Sequence, residues 1–139
     1  MVCRHNLAGK LEPVAAGAAA CIHALVETEK WKYASHEVIH EVCQRTSVAL
    51  SEKNTRTVAH MQLVQALAAV NPDILSIYGA NLLRTGEEIL KGAANPWQHR
   101  KAAAKLLQSV LTILDRRTLE VELDSALHVS HIALQFELL

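Results

Sequence analysis

Asn95-Pro96-Trp97-Gln98-His99-Arg100-Lys101-Ala102-Ala103-Ala104-Lys105-Leu106-Leu107 is a polar turn that runs into a helix rich in alanine and leucine. Asn95 can cap that helix, and Pro96 at the first helical position gives up an N–H that has no intrahelical partner there. The three alanines let a second helix approach closely, and Leu106, Leu107, Val110 and Leu111 extend the apolar stripe. The spacing predicts a helix from Pro96 to about Leu114 with one face buried, and Leu107 at the centre of that face.

This order of residues resembles the second helix of a HEAT repeat, which has an Asp/Asn-Pro turn, an Arg a few residues on, then Ala-Ala and spaced leucines. The resemblance implies a HEAT- or armadillo-like solenoid of helix pairs that binds other molecules along a surface. It also implies that Arg100, at the position of the family's Arg, ties neighbouring repeats together. Val58-Ala59-His60-Met61-Gln62-Leu63-Val64-Gln65 lines up with Lys101 to Gln108 at an offset in the low forties, the length expected of such repeats. The match is good over Asn95 to Val110, weaker over Asn54 to Val70, and elsewhere only a matter of helix length. A closed helical bundle built from the same helices is the alternative, because short loops favour antiparallel neighbours in both.

Working outward, six helices are expected. The first covers about Glu12 to Thr28, with Val14, Ala18, Cys21, Ile22 and Leu25 on one stripe. After a short turn or helix start at Lys30 to Ala34, the second reaches about Glu52, with Val38, Ile39, Val42, Cys43, Thr46, Ala49 and Leu50 in its apolar arc. Lys53-Asn54-Thr55 breaks the chain, Asn54 or Thr55 capping a third helix that buries Val58, Met61, Leu63, Val64, Leu67 and Ala68. That helix ends at Asn71 because Pro72 pushes the preceding residue out of the α region. Pro72 opens a fourth helix toward Gly92, read as a left-handed C-cap. The fifth is the HEAT-like one. The sixth follows the turn Asp115-Arg116-Arg117, with Thr118 as cap, and carries Leu119, Leu123, Ala126, Leu127, Ala133 and Leu134. Helices two and three form one pair and four and five another; the first and sixth are halves of neighbouring or capping pairs. No stretch alternates with a period of two, so the reading is all-α, one helical-repeat domain over residues 1–139, or a fragment of a longer solenoid.

Composition narrows the function. Half of the 139 residues are apolar but only 4% are aromatic, so the core must be made of Ala, Leu, Val and Ile. Fourteen basic residues balance 14 acidic ones, which leaves no overall pull toward nucleic acid or an anionic membrane. No apolar run approaches the roughly 20 residues of a membrane span. A secretory signal over Leu7 to Ala24 is the rival reading of the N-terminus, disfavoured by Glu12 and the lack of a leucine-rich segment. Cys3, Cys21 and Cys43 are odd in number and lack CxxC spacing, which points to buried or half-buried thiols of an intracellular protein of cytoplasm or nucleus.

One motif invites an enzymatic reading. His36-Glu37-Val38-Ile39-His40 fits the HExxH pattern of zinc peptidases, in which two histidines one turn apart share Zn²⁺ and the Glu activates its water. Against it stand the charge on Glu41, the lack of a third ligand at a matching spacing, and the lack of strands to hold a substrate. His128 and His131 form a second pair, and a metal site shared with His36 and His40 is the reading it offers, but pairs arise readily among eight histidines. His99, Arg100, Lys101, Lys105, Arg116 and Arg117 form a basic cluster that alternates with Glu120 and Glu122, the pattern of a solvated face. No catalytic residue, metal or cofactor is therefore expected; a zinc-dependent hydrolase using His36 and His40 is the enzymatic alternative.

What remains is a non-enzymatic scaffold or adaptor that binds protein. Trp31 and Trp97 each stand at a helix start and serve either as wedges between helices or, if exposed, as partner anchors. The end of the chain, Ala133 to Leu139, is too apolar for a solenoid cap. Leu127, Leu134, Phe136 and Leu138 are accordingly the expected contacts to a partner or to a second copy of the chain.

Overall fold

A computed structural model describes residues 12–114 and residue 132. Among them the chain forms α1 (Glu12–Val26), a 3-10 turn (Glu29–Tyr33), α2 (His36–Ser51), α3 (Val58–Val70), α4 (Pro72–Ser76), α5 (Gly79–Lys91) and α6 (Trp97–Ile113), and no strand. The fold is all-α. The expected sixth helix lies outside the described residues, except that Ile132 is helical and packs half-buried against the core.

The helices form two layers. In one, α3 lies between α1 and α6; in the other, α2 packs beside α5. Each of α2 and α5 also packs on the helix that follows its corner, α3 and α6 respectively, and the short α4 touches all four. The core between the layers holds Ile22, Leu63, Leu67, Leu82, Leu106 and Leu107, all at most 1% exposed. Burying one such side chain contributes about 1.5–3 kcal/mol relative to leaving it in water.

Buried positions recur along the chain. Ile39, Val42, Cys43, Thr46, Ala49 and Leu50 of α2 correspond, forty residues later, to Gly79, Leu82, Leu83, Gly86, Ile89 and Leu90 of α5. His60, Met61, Leu63, Val64 and Leu67 of α3 correspond, forty-three residues later, to Ala103, Ala104, Leu106, Leu107 and Val110 of α6. The second set reproduces the offset read between Val58 and Lys101.

The corners correspond as well. The last carbonyls of a helix lack intrahelical donors and need partners when buried. Thr55 Oγ1 donates to Ala49 O at 2.5 Å and Arg56 Nε to Leu50 O at 3.1 Å. At the second corner Asn95, forty residues after Thr55, donates its Nδ2–H to Ile89 O at 3.0 Å, and Arg100, forty-four residues after Arg56, donates its Nε–H to Leu90 O at 2.9 Å. Each corner thus closes the helix behind it with one neutral and one cationic donor.

Several local expectations are corrected. Asn95 does not cap α6: its amide turns back to Ile89, and Pro96 occupies the cap position with φ −56° and ψ 146°. Neither Asn54 nor Thr55 caps α3; Thr57 does, its hydroxyl accepting from His60 N–H at 3.2 Å. Gly92 is extended (φ −71°, ψ 98°), and a glycine stands there because the Asn95 side chain fills the space of a Cβ. Arg100 ties α6 to α5 through Leu90 O, and Arg56 ties the start of α3 toward α5, with Nη2 3.8 Å from Glu88 Oε2.

The expected helix from Pro72 to Gly92 is two helices. The N–H groups of Ile77 and Tyr78 bond only three residues back, to Ile74 O and Leu75 O, so the chain tightens before α5 begins. Gly79 restarts it where the Leu114 side chain leaves no room for a Cβ. In α1 the buried stripe is Ala15, Ala18, Ala19, Ile22 and Val26, while Val14 and Cys21 of the expected stripe are exposed. A helix so rich in alanine has little directional preference of its own, and contact with α3 decides which face is buried.

Candidate protein-docking site

The HExxH residues sit in the first turns of α2, just after Ser35, which caps it by accepting from Val38 N–H. His36 and Glu37 are exposed and His40 is half-buried. The two imidazole centroids are 6.2 Å apart. Tyr78 engages His40: its hydroxyl lies 2.5 Å from His40 Nδ1, and the rings meet edge to face at 5.4 Å. Burial, and after it the Cys43 thiol, push the Tyr78 phenol above its usual value. The phenol therefore keeps its proton and donates it, which makes Nδ1 of His40 the acceptor. Among the described residues no three His, Cys, Asp or Glu side chains converge as a metal site. His128 and His131 lie outside the described residues.

Cys43 is fully buried in the core and burial pushes its thiol up to about 12, which keeps it protonated and unreactive at neutral pH. Cys21, expected to be at least half-buried, is exposed. Cys43 is a free thiol. Cys3 lies outside the described residues.

The tryptophans divide. Trp31 is 2% exposed, and its Nε1–H donates to Asn71 Oδ1 at 2.6 Å, which locks the 3-10 turn to the joint between α3 and α4. Trp97 is 58% exposed at the start of α6. Lys101 lies over its indole, with Nζ 5.9 Å from the ring centroid.

Around Trp97 runs a groove of about 200 Å³ between α3 and α6, lined by Val58, Gln62, Gln65, Trp97, Gln98, Lys101, Ala102 and Lys105. α3 and α6 pack side by side, and each contributes residues one turn apart to the lining. The amides can donate to and accept from an extended backbone, the two lysines attract carboxylates, and the indole offers a flat apolar face. Sequence reasoning singled out Trp97 but missed the three glutamines. Their signal was present, since Gln62, Gln65 and Gln98 fall on the polar faces of the two helices that align.

A second hollow, of about 310 Å³, lies where α1, the 3-10 turn and α2 meet. It is mostly apolar, with Ile22, Leu25, Trp31, Val38 and Val42 in its walls and the 84%-exposed Tyr33 beside them. Leu127, Leu134, Phe136 and Leu138, the expected partner contacts near the C-terminus, lie outside the described residues. Among the described residues no helix is long and apolar enough to cross a membrane.

No protein-family model matches the chain, and no solved structure matches it significantly. Two curated plant proteins do. Protein SINE1 of Arabidopsis thaliana is 37% identical over 122 residues, covering 85% of this chain and 22% of that protein. Protein SINE2 of Arabidopsis thaliana is 31% identical over 113 residues, covering 80% of this chain and 20% of that protein. Neither name is that of an enzyme, which is consistent with a chain that performs no catalysis. The chain spans about a fifth of the length of the curated relatives it matches.

Proposed function

We propose that the chain is a segment of a HEAT/armadillo-like protein-binding scaffold, and that an extended stretch of a partner protein docks in the groove between α3 and α6. The observation that carries this reading is the exposed Trp97, held under Lys101 and faced by Gln62 and Gln65 across the groove. An exposed tryptophan surrounded by adaptable polar groups has the make-up of a binding hot spot. The recurrence of buried positions at forty and forty-three residues, with matching corner bonds, supports the repeat architecture.

The hollow beside Trp31 supports it too. α5 covers the side of α2 that a stacked pair must bury, and the hollow is the vacant counterpart on the other side, lined by α1 and α2. A helix of an adjoining pair would fit there, as repeats bury their faces against neighbours. The buried free thiol of Cys43 suits a reducing compartment, cytoplasm or nucleus.

Site-specific photo-crosslinking tests the groove. A crosslinker at position 62 or 98 is expected to capture a protein that the same group at Val48, exposed on α2, does not. Trp97→Ala is expected to abolish the capture with unchanged helical content. Equal capture from positions 48 and 98, or capture indifferent to Trp97→Ala, would remove the groove as the docking site.

A further inference from the structure

On another face a cleft of about 200 Å³ opens between the two corners, lined by Lys53, Asn54, Arg56, Asn95, Pro96 and His99. Among the described residues no carboxylate lines it. Two of its side chains hold buried polar atoms without a hydrogen-bond partner, Arg56 Nη2 and His99 Nδ1. The Arg56 side chain is only 7% exposed. Its Nε is committed to Leu50 O at 3.1 Å, while Nη2 is 3.8 Å from Glu88 Oε2, beyond hydrogen-bond reach. Glu88 balances the charge but does not accept from Nη2, and a buried donor left without an acceptor is costly, so an anion in the cleft would complete it.

The first turn of α6 borders the same cleft. No side chain caps it, because Asn95 is turned back onto Ile89 and Pro96 stands at the cap position. The leading N–H groups of this 17-residue helix and its dipole favour negative charge there. The Asn54 amide and the Lys53 ammonium complete the rim. Donors held on the two corners and on α6 exceed what the two oxygens of one carboxylate can accept, and they suit a tetrahedral group with several charged oxygens.

We propose that the cleft between the two corners binds a phosphate group, with Arg56 at its base, Lys53 and Asn54 on one wall, and His99 with the first turn of α6 on the other. The site is separate from the groove beside Trp97 and does not depend on what docks there. Its occupant is either a free phosphate ion or the phosphorylated side chain of a protein, two sources of the same chemistry.

Inorganic phosphate titrated into the full chain at constant ionic strength, against chloride, tests it by ¹H–¹⁵N NMR. Saturable shifts are expected at the Arg56 side-chain Nε–H and at the backbone amides of Gln98 and His99. Lys53→Glu is expected to weaken the apparent affinity at least about tenfold, with the melting temperature in chloride unchanged, because Lys53 is exposed and makes no bond the fold needs. His99→Phe keeps a ring of similar bulk without the nitrogen and is expected to weaken binding as well. Shifts that grow linearly without saturating, that ignore Lys53→Glu, or that acetate reproduces at equal strength would overturn the proposal. A phosphothreonine peptide binding more tightly than the free ion identifies a protein side chain as the occupant, and equal binding identifies the ion; both results uphold the site.

Discussion

Leu107 occupies the gap that Gly86 leaves on α5: a Cβ on residue 86 would lie 2.8 Å from Leu107 Cδ2 and 2.9 Å from its Cγ. This contact sets how closely α5 and α6 approach. The glycine is helical with no positive φ, so closeness of packing and not backbone freedom accounts for it.

Gly86→Ala gains about 1 kcal/mol of helix propensity but overpacks a tight contact, which costs about 1–3 kcal/mol. A net loss of stability is expected, read as a lower urea midpoint. Leu107→Ala is expected to cost about 2–5 kcal/mol. Combined, the two should cost less than their sum, because the alanine at 107 makes room for the one at 86. A Gly86→Ala protein more stable than wild type would show that Leu107 swings aside freely.

Fluorescence should separate the two tryptophans. In Trp97→Phe the remaining Trp31, buried and bonded to Asn71, is expected to emit to the blue and resist acrylamide. In Trp31→Phe the remaining Trp97 is expected to be readily quenched. Removing the Trp31 donor also leaves Asn71 Oδ1 short of a partner, so this variant should lose about 1–3 kcal/mol.

The two corner arginines should differ in weight. Arg56 is 8% exposed whereas Arg100 is half-buried, and each donates to the penultimate or last buried carbonyl of the helix behind it. Arg56→Ala is expected to cost about 2–3 kcal/mol and Arg100→Ala about 1–2 kcal/mol, within the range for hydrogen bonds to charged groups. Thermal denaturation of both variants checks the order; a reversed order would mean that burial does not set the strength of these bonds.

Alkaline pH should destabilise the fold through Cys43. Its thiol is raised from an ordinary 9.0 to about 12 in the folded chain. Between these values the unfolded chain has released the proton while the folded chain retains it, so stability falls as pH rises through this window by up to about 1.4 kcal/mol per unit. Below the unfolded value the contribution is fully present. Tyr78 shifts in the same direction, so the Cys43 part is isolated by difference. Cys43→Ala should flatten the fall in urea midpoint from about pH 9 to about pH 11; an unchanged slope would contradict the assignment.

Much of the helix content was legible because prolines and leucines act locally. Pro72 sits at the first position of α4, and the stripe Ala103, Ala104, Leu107, Val110 is buried as its spacing predicts. Tertiary choices were not legible. Asn95 and Arg100 carry the right groups to cap or to bridge, and only the folded corner shows that both turn back onto α5. The face of α1 depended on α3, because alanine marks no side of a helix strongly. The need for a glycine at position 79 depended on Leu114, thirty-five residues from it. Of the docking site, Trp97 was legible as a large side chain at a helix start, while the glutamines became a row only when α3 and α6 lay side by side.

The central place of α3 has a further consequence for how the molecule comes apart. It is flanked in its own layer by α1 and α6 and covered by α2, so Met61, Leu63, Val64 and Leu67 have no exposed area. Among the described residues α1 has one neighbour of that kind in its layer and lies beside the open hollow. Loosening therefore starts at the flank and travels inward one helix at a time, and the amide protons of α3 are the last to exchange with solvent.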